Sequence, residues 1–409
     1  MHAATNRHPN LEGKFASSVL VNTLIFLLSF ALVLAAVVTF HELGHYGVAK
    51  LFGTKVDRFS IGFGKPIARF TRRSGEEWVV GSLPLGGYVK FAGDSSAASV
   101  PDHEKLNALR DSLPADEASR LFQFKPVWQR ILIVLAGPVA NFVLAVLILA
   151  GLAWMLGVRD FAPVISEVVP DGAAAEAGFA PGDRIVSLDG REVDDVSDII
   201  NYVSLRSDTP IRATVERDSR QRDIVVTPER TTIEDVVGGR ADVGRVGIMF
   251  RQPADFTPRR VGPVEALAIG TGQVGDTIGA TGTYIRRIFT GAEDGKAMGG
   301  VLRIAAITGK AGVDASAREV PMSERVRGTV LTLVSLMATL SIGLGIANLL
   351  PIPMLDGGHL LFYSYEAVAG RPVSERAQDV GVRIGLAVLL GLFVVLTVND
   401  VGYIRSLFS

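Results

Sequence analysis

Four stretches of this chain carry no charged residue over lengths close to what a bilayer demands. A helix needs about 20 consecutive apolar residues to cross the hydrocarbon core. The stretches are Phe15–Phe40, Ile131–Val158, Gly328–Leu355 and the shorter Ile384–Asn399. The mean hydropathy of +0.34 over 409 residues is also high for a soluble enzyme. We therefore predict a polytopic α-helical membrane protein with four transmembrane helices. A signal peptide explains the first stretch less well, because its apolar run is too long.

The composition excludes several kinds of chemistry. The chain has no cysteine, so disulfides, thiolate metal sites and cysteine nucleophiles are all excluded. Its formal net charge of −1 gives no indication of a nucleic-acid surface. Any metal ion must be bound by histidine, aspartate, glutamate or backbone oxygen. The histidines are His2, His8, His41, His45, His103 and His359.

Lysine and arginine are distributed unevenly around the apolar stretches, and this distribution predicts the orientation of the chain. Only Arg7 and Lys14 precede the first stretch. Basic residues are frequent after the first stretch and just before the second: Lys50, Lys55, Arg58, Lys65, Arg69, Arg72, Arg73, Lys125 and Arg130. The loops after the first and third stretches are therefore predicted to be cytoplasmic. The long segment between the second and third stretches is predicted to lie outside.

The runs VDRFSIGFGKPIARF and EWVVGSLPLGGYVKF, separated by the turn TRRSGE, predict a β-hairpin between the first two spans. Non-helical backbone reaches membrane depth only where protein covers it or where it lines a wet cavity. This hairpin follows the first span directly and is a candidate for that exception, with an ordinary cytoplasmic hairpin as the alternative. Residues 94–121 are polar and predict a surface linker with some helix.

Residues 161–250 have the composition of a soluble α/β domain. Pro181-Gly182-Asp183 and Asp189-Gly190 mark turns between short strands and helices. Apolar residues then recur at three- and four-residue steps from Val264 to Ile288, which is typical of an amphipathic helix. We interpret this helix as a tether between the outer domain and the third span.

The sequence HELGH at the end of the first span carries the strongest chemical indication. His41 and His45 are one helical turn apart, so both rings can approach one ion. Glu42 lies beside them, within reach of a water on that ion but poorly placed to bind it. Two histidines and a non-ligating glutamate at this spacing are typical of zinc hydrolases. The alternative is a pair of solvated histidines at a helix end, which fits poorly with an apolar helix.

A tetrahedral catalytic zinc site needs a third protein ligand. The apolar regions offer Asp356 and His359, both in NLLPIPMLDGGHLLF at the end of the third span. That span ends at the same cytoplasmic depth as HELGH. Asp356 is the better candidate, because nothing else in that stretch would neutralise a buried carboxylate, although it could instead cap the helix that follows. His359 is expected to face a neighbouring helix.

These motifs together resemble the site-2 protease family. HELGH in the first span, GPVAN at Gly137–Asn141 in the second and NLLPIPMLDGG in the third carry the resemblance. It extends from Leu20 to Val398 and is closest to the bacterial regulator-of-sigma-E type, which has a PDZ domain between the second and third spans. The pairing of HExxH with NxxPxPxLDG is highly specific.

The resemblance implies an intramembrane zinc metalloprotease. It implies that His41, His45 and Asp356 bind Zn²⁺ and that Glu42 is the general base. The residues that it places near the substrate backbone are Asn348, Gly86, Gly87, Tyr88, Pro351 and Pro353. The implied substrates are single-pass transmembrane proteins, such as anti-sigma factors or signal-peptide remnants, cut after a first extracytoplasmic cleavage. The implied location is the bacterial inner membrane, with the PDZ domain in the periplasm and the active site near the cytoplasmic side.

On this basis the chain is divided into seven segments. They are 1–53, the tail and first transmembrane helix with HExxH; 54–129, the membrane-associated β-hairpin and cytoplasmic linker; 130–158, the second transmembrane helix; 159–250, the PDZ domain; 251–326, the amphipathic tether; 327–370, the third transmembrane helix with NxxPxPxLDG; and 371–409, the fourth transmembrane helix and C-terminus.

Two features depart from the regulator-of-sigma-E type. There is room for one PDZ domain, whereas the best-studied enterobacterial type has two in tandem, and MGGVLRIA (Met298–Ala305) replaces a glycine-proline-isoleucine pattern before the third span. Pro163 removes an amide from the expected carboxylate-binding loop, so we expect the domain to exclude bulky substrates rather than to bind peptide ends. Two other classes stay open: a zinc transporter, which would need polar residues along several spans, and a non-catalytic scaffold, which would leave Glu42 and Asp356 without a task.

Overall fold

The structure is a computed structural model that describes residues 9–93, 108, 110, 112–159, 161–234, 240–251, 257–293, 295, 298–317 and 320–406. Most of the linker predicted at 94–121, and also His2, His8 and His103, lie outside these residues. The described chain divides into two compact units. The first comprises Met1–Ile148 and Gly300–Asp400, and the second comprises Leu149–Gly299 and Val401–Ser409.

The helices are α1 (Pro9–Leu51), α2 (Ala115–Ala118), α3 (Val127–Leu156), α4 (Ala173–Ala177), α5 (Val196–Ser204), α6 (Pro263–Phe289), α7 (Val301–Ala317), α8 (Met322–Leu349), α9 (Asp356–Ala369) and α10 (Glu375–Ser406). The strands are β1 (Val56–Thr71), β2 (Glu77–Phe91), β3 (Ile165–Val168), β4 (Arg184–Leu188), β5 (Arg191–Glu192), β6 (Ile211–Arg217), β7 (Arg220–Val226), β8 (Glu229–Glu234), β9 (Arg240–Arg245) and β10 (Ile248–Phe250).

Four helices of the described chain are long and apolar enough to cross a membrane. They cover Thr23–Leu51, Val127–Leu156, Met322–Leu349 and Glu375–Arg405. These are the helices α1, α3, α8 and α10, and they agree with the four predicted spans. Helix α8 begins six residues earlier than the uncharged stretch suggests, because its first turns include charged residues.

Small residues let the helices of the first unit approach each other closely. A Cβ atom built at Gly44 of α1 would lie 2.2 Å from the carbonyl oxygen of Ala136 in α3. A Cβ atom at Gly345 of α8 would lie 2.8 Å from the ring of Phe142 in α3. Contacts of this kind are the usual basis of helix packing where lipid removes the hydrophobic driving force. They fix α1 and α8 against α3.

Helix α8 ends just before the two prolines of the NLLPIPMLDGG motif, and α9 begins at Asp356. Two glycines follow Asp356 and lie directly against the connecting segment. A Cβ atom at Gly357 would lie 2.2 Å from the carbonyl oxygen of Leu350, and one at Gly358 would lie 2.5 Å from that of Ile352. The glycines therefore let the first turn of α9 fold back on this segment, which fixes the position of Asp356.

Strands β1 and β2 pair in an antiparallel sheet, but each of them folds back on itself. Four segments therefore lie side by side, whereas the predicted hairpin has two. Residues 58–61 have partners on both sides: Phe59 pairs with Val89 and also with Trp78, while Val79 pairs with Arg69 as well. The segments therefore lie in the order 66–71, 77–80, 56–61 and 87–91. Segment 87–91 is an edge that has no further strand partner among the described residues.

The second unit contains a compact apolar core of strand and helix residues. A sheet in the order β5-β4-β6-β7 and the pair β10-β3 surround it. The buried side chains include Ile165, Ile185, Ile199, Ile211 and Val215. Helix α5 begins with a capping box in which Asp195 accepts a hydrogen bond from the backbone of Ser197. This α/β composition agrees with a soluble domain, and the PDZ assignment stays a prediction.

Asp183 is a fully buried carboxylate in this second unit. It accepts hydrogen bonds from two nitrogens of Arg217, at 2.6 and 2.7 Å, and from the backbone N–H of Ala180 at 2.9 Å. Burial alone would raise the pKa of Asp183, but the hydrogen bonds from Arg217 outweigh it and hold the pKa below its ordinary value.

The segment predicted as a tether contains two helices that belong to different units. Helix α6 lies in the second unit, where Arg287 donates hydrogen bonds to Ser207 and Thr209. Helix α7 lies in the first unit, where the buried carboxylate of Asp400 accepts hydrogen bonds from the backbone N–H groups of Gly300 and Arg303 at 2.9 and 3.0 Å. Asp400 thereby caps the start of α7.

Candidate metal centre

The two histidines of HELGH converge on one point beside helix α3. Their rings meet edge to face, with centroids 4.8 Å apart. The Nε2 atom of His41 lies 3.2 Å from the Nε2 atom of His45. Helical geometry explains this approach, because residues four apart lie on the same face.

Asp356 completes a group of three possible ligands. Its Oδ2 atom lies 3.2 Å from Nε2 of His41 and 3.5 Å from Nε2 of His45. The same Oδ2 atom is buried and has no hydrogen-bond partner. Asp356 is the first residue of α9, whose preceding residue Leu355 occupies the N-cap position. The carboxylate therefore faces the histidines rather than capping the helix.

The spacing of these three atoms fits a tetrahedral zinc ion. Ligands 2.0–2.1 Å from a tetrahedral ion lie about 3.3–3.4 Å from each other. The observed separations of 3.2, 3.2 and 3.5 Å bracket this value. Two imidazoles and one carboxylate are also a donor set that zinc accepts. Within the described residues, His41, His45 and Asp356 thus form a site that could hold a metal ion.

Each histidine has a second contact that orients its ring. The Nδ1 atom of His45 lies 2.9 Å from the carbonyl oxygen of Ile133. A carbonyl only accepts hydrogen bonds, so Nδ1 of His45 carries the proton and Nε2 is free to bind a metal. The Nδ1 atom of His41 instead lies 3.2 Å from Nδ2 of Asn141, which is fully buried in α3.

Gly137 makes room for the two imidazole rings. A Cβ atom at this position would lie 2.3 Å from Nε2 of His45 and 2.8 Å from Cε1 of His41. Both distances are shorter than real Cβ contacts. The first glycine of GPVAN therefore forms the wall of the metal centre, one turn before Asn141.

Glu42, the residue after His41, lies against the sheet. A Cβ atom at Gly87 would lie 3.1 Å from Cγ of Glu42. Gly87 belongs to the edge segment 87–91, so this edge passes directly over the glutamate. Glu42 therefore lies between the metal centre and the edge segment 87–91.

The residues expected near a substrate occupy different surroundings. The side-chain amide of Asn348 lies 3.5 Å from Nε2 of His41, at the metal centre. Gly86 has a φ of 123° and lies against the ring of Phe63, on which Tyr88 also stacks at 6.0 Å. Pro351 is exposed in the segment before α9.

Pro353 lies in a packed position against α10. Its carbonyl oxygen would be 2.3 Å from a Cβ atom at Gly385. His359 lies on α9, with its ring stacked on Tyr363 at 6.3 Å. It does not belong to the group of possible metal ligands in the described part of the chain. The roles expected for Pro351 and Pro353 stay predictions.

Sequence reasoning did not single out Glu76, a buried carboxylate that joins the sheet to α1. It accepts hydrogen bonds from Tyr46 at 2.6 Å, from Lys50 at 3.0 Å and from Trp78 at 3.0 Å. Burial alone would raise the pKa of Glu76, but these hydrogen bonds lower it to about 2. Tyr46 and Lys50 follow Glu42 on the same face of α1. Glu76 therefore fixes the sheet against the face that carries Glu42.

Comparison with known proteins identifies the family of this chain. The model of peptidase family M50 matches residues 29–392. The chain is 40% identical to the metalloprotease MmpA of Caulobacter vibrioides, over 93% of this chain and 96% of that protein. It is 39% identical to the "Putative zinc metalloprotease Atu1380" of Agrobacterium fabrum, over 92% and 95% of the two chains. A protein of Rhizobium meliloti with the same description, R01501, is 37% identical over 92% and 96%.

A membrane-embedded metalloprotease is the class that the four apolar helices and the His41–His45–Asp356 group support. The chain belongs to peptidase family M50.

Proposed function

We propose that this chain is an intramembrane zinc metalloprotease of the site-2 type, which hydrolyses peptide bonds within transmembrane segments of other membrane proteins. The observation that carries this proposal is the convergence of His41, His45 and Asp356 at tetrahedral ligand spacing. This convergence occurs among helices that are apolar enough to span a membrane. Ionisable groups in such helices are costly and persist mainly where they have a task.

His41, His45 and Asp356 are the residues that would hold the zinc ion. When bound, zinc polarises a water molecule and the scissile carbonyl, which makes hydrolysis feasible at neutral pH. The carboxylate of Asp356 offsets part of the ion's charge in surroundings where bulk water is scarce. The relatives named as zinc metalloproteases support this choice of metal.

Glu42 is proposed as the general base. It follows His41 directly, and its side chain lies against Gly87 of the edge segment. From there its carboxylate can take the proton of the attacking water and later give it to the leaving amine. A group that holds this proton without binding the metal is what the HExxH arrangement provides.

The edge segment 87–91 is proposed to hold the substrate in extended form. A transmembrane helix resists hydrolysis while its carbonyls are bonded within it, so it must unwind locally. Pairing with an unpaired strand edge replaces those backbone hydrogen bonds. Gly86, Gly87 and Tyr88 lie on or beside this edge, above Glu42. Asn348, whose amide lies near His41, is proposed to contact the substrate backbone from the opposite side, together with Pro351 and Pro353.

The proposed substrates are single-pass transmembrane proteins, such as anti-sigma-factor-like proteins or signal-peptide remnants, after a first extracytoplasmic cut. We place the protein in the bacterial inner membrane, with residues 159–250 as a periplasmic PDZ domain that excludes uncut substrates by size. Orientation rests on the basic residues near the first and second spans. A single cysteine introduced at Ser219 should react with an impermeant thiol reagent from outside, and one at Ser74 should not. The opposite labelling would invert this orientation.

The chemistry is tested with two substitutions and two measurements. Purified Glu42→Gln should retain one zinc per chain but lose cleavage of a model transmembrane substrate by about 10²–10⁴-fold, the usual effect of removing a general base. Asp356→Asn should lose both zinc and cleavage, because it removes a ligand charge. Near wild-type cleavage by Glu42→Gln would remove the general-base assignment. Full zinc occupancy in Asp356→Asn would remove Asp356 from the ligand set.

A further inference from the structure

The two metal-centre histidines differ in what their Nδ1 atoms contact. His45 faces the carbonyl oxygen of Ile133 at 2.9 Å, and this oxygen can only accept. His41 faces the side-chain amide of Asn141 at 3.2 Å, and an amide can donate or accept depending on which end it presents. The tautomer of His45 is therefore set by the backbone, whereas that of His41 depends on one side chain.

The amide of Asn141 presents its Nδ2 end to His41. In this orientation Nδ2 donates, Nδ1 of His41 accepts, and the proton of the neutral ring lies on Nε2. The Oδ1 atom of Asn141 is then buried without a hydrogen-bond partner. An unpartnered buried acceptor costs about 1–3 kcal/mol. Half a turn of the amide about its last side-chain bond would bring this oxygen to Nδ1.

A metal ion at Nε2 requires the other arrangement. Nε2 must offer a lone pair, so the proton of the neutral imidazole must lie on Nδ1. Nδ1–H then needs an acceptor, and Asn141 is the polar side chain within reach, at 3.2 Å. The Oδ1 atom that lacks a partner is the acceptor that this tautomer needs.

We propose that Asn141 is the positioning residue of His41: its Oδ1 atom accepts a hydrogen bond from Nδ1–H and holds His41 in the metal-binding tautomer. This inference rests on the proposed zinc site. Asn141 does not touch the metal or the substrate and acts through His41 alone. Histidine ligands of metals generally have such a partner, and its loss typically lowers metal affinity about 10–100-fold.

A purely structural role for Asn141 must be separated from this one. Asn141 is fully buried, and its backbone oxygen accepts a hydrogen bond from Ser341 at 2.8 Å, which joins α3 to α8. Ser341→Ala removes that contact at the same residue without touching His41. It is therefore the matched control for lost helix packing.

The experiment measures the affinity of purified full-length protein for zinc alone, by competition with a chelator in detergent micelles. Asn141→Leu keeps the size of the side chain and removes the acceptor, and its zinc affinity should fall about 10–100-fold. Asn141→Asp keeps an acceptor that cannot turn into a donor. It should bind zinc within about threefold of wild type or more tightly, as carboxylate–histidine pairs do. Ser341→Ala should bind zinc as wild type does.

The outcomes separate this inference from the function on which it rests. If wild type binds no zinc, the proposed zinc site itself fails. If wild type binds zinc and Asn141→Leu binds it equally well, the positioning role is wrong while the zinc site stands. Equal losses in Asn141→Asp and Asn141→Leu would also overturn the acceptor role. Should Asn141→Leu not fold, the comparison of Asn141→Asp with wild type and Ser341→Ala still decides.

Discussion

The two units of this chain use apolar side chains in opposite ways. The second unit has a core of fully buried large aliphatic residues, such as Ile165, Ile185 and Ile211. The first unit, which we call the membrane unit, instead exposes many large aliphatic residues, including Leu28 and Leu32 of α1 and Leu390 of α10. Several of the positions that contact other helices there are small or polar, such as Gly44 and Asn141. A bilayer is as apolar as leucine, so burial of leucine gives no preference between lipid and protein.

This difference shows which residues determine the packing of each unit. In the second unit the apolar pattern defines the core, and the fully buried carboxylate of Asp183 is paired with Arg217. In the membrane unit the apolar pattern defines only which helices meet lipid. The fit between helices, and the metal centre with it, depends on glycines and on a few buried polar groups such as Asn141. Substitutions of similar size should therefore act very differently in the two units.

The largest effect is expected from adding one methyl group at Gly137. In Gly137→Ala the new Cβ would lie 2.3 Å from Nε2 of His45, so the ring or helix α3 must move. Displacement of a ligand by about 1 Å is enough to cost about 10²-fold in activity. We expect zinc content to fall to a small fraction of one per chain and cleavage to drop by at least that factor. Metal analysis and cleavage of one model substrate measure both.

Gly151→Ala is the matched control for this prediction. Gly151 lies in the same helix, and a Cβ there would meet no atom within 4 Å. Zinc content and cleavage should stay at wild-type levels, with a small gain in helix stability. Normal zinc binding by Gly137→Ala would contradict this prediction. It would show that the helices around the metal centre can shift to accommodate a methyl group without displacing His45.

An intermediate effect is expected from Arg217→Met in the second unit. It leaves the fully buried carboxylate of Asp183 without its main partner. Breaking a buried pair in this way typically costs about 3–5 kcal/mol. Amide hydrogen exchange in β4 and β6 of the full-length protein should report this loss, with zinc content unchanged.

Arg220→Met is the control. Arg220 is an exposed arginine at the start of β7, so its replacement should leave exchange unaltered. Unchanged protection in Arg217→Met would mean that the apolar core alone determines stability.

The sequence predicted the parts of this fold that depend on local pattern. Uncharged length was enough for the four spans, because a bilayer imposes that length. Helical spacing was enough to bring His41 and His45 together, and a carboxylate without a neutralising partner in an apolar stretch indicated Asp356 as the third ligand. The structure places these three residues at ligand spacing, and their roles stay proposals.

Other features could not be predicted because they depend on contacts between distant segments. Glu76 is separated by 30 residues from Tyr46, and its surroundings give no periodic pattern. Asn141 was part of a quoted motif but had no assigned task, since its contact with His41 spans 100 residues. The doubled pairing of residues 58–61 also depends on register, which the alternation of apolar residues does not fix.

The smallest effect concerns Glu76, a carboxylate of the membrane unit that is buried among hydrogen-bond donors. The pKa of Glu76 lies at about 2 in the folded protein, below its ordinary value of 4.5. Its contribution to stability is therefore fully present above about pH 4.5 and is lost as the pH falls toward 2. A depression of this size corresponds to about 3 kcal/mol. Glu76→Gln should remove this contribution, so the stability difference between wild type and variant should shrink steadily between these pH values. Denaturation of the two proteins in detergent micelles at a series of pH values measures this difference.

Glu77→Gln, which removes the neighbouring carboxylate that pairs with Arg58, is the control and should keep the pH slope due to Glu76. Parallel curves for wild type and Glu76→Gln from pH 4.5 to 2 would mean that Tyr46, Lys50 and Trp78 do not hold this charge in solution.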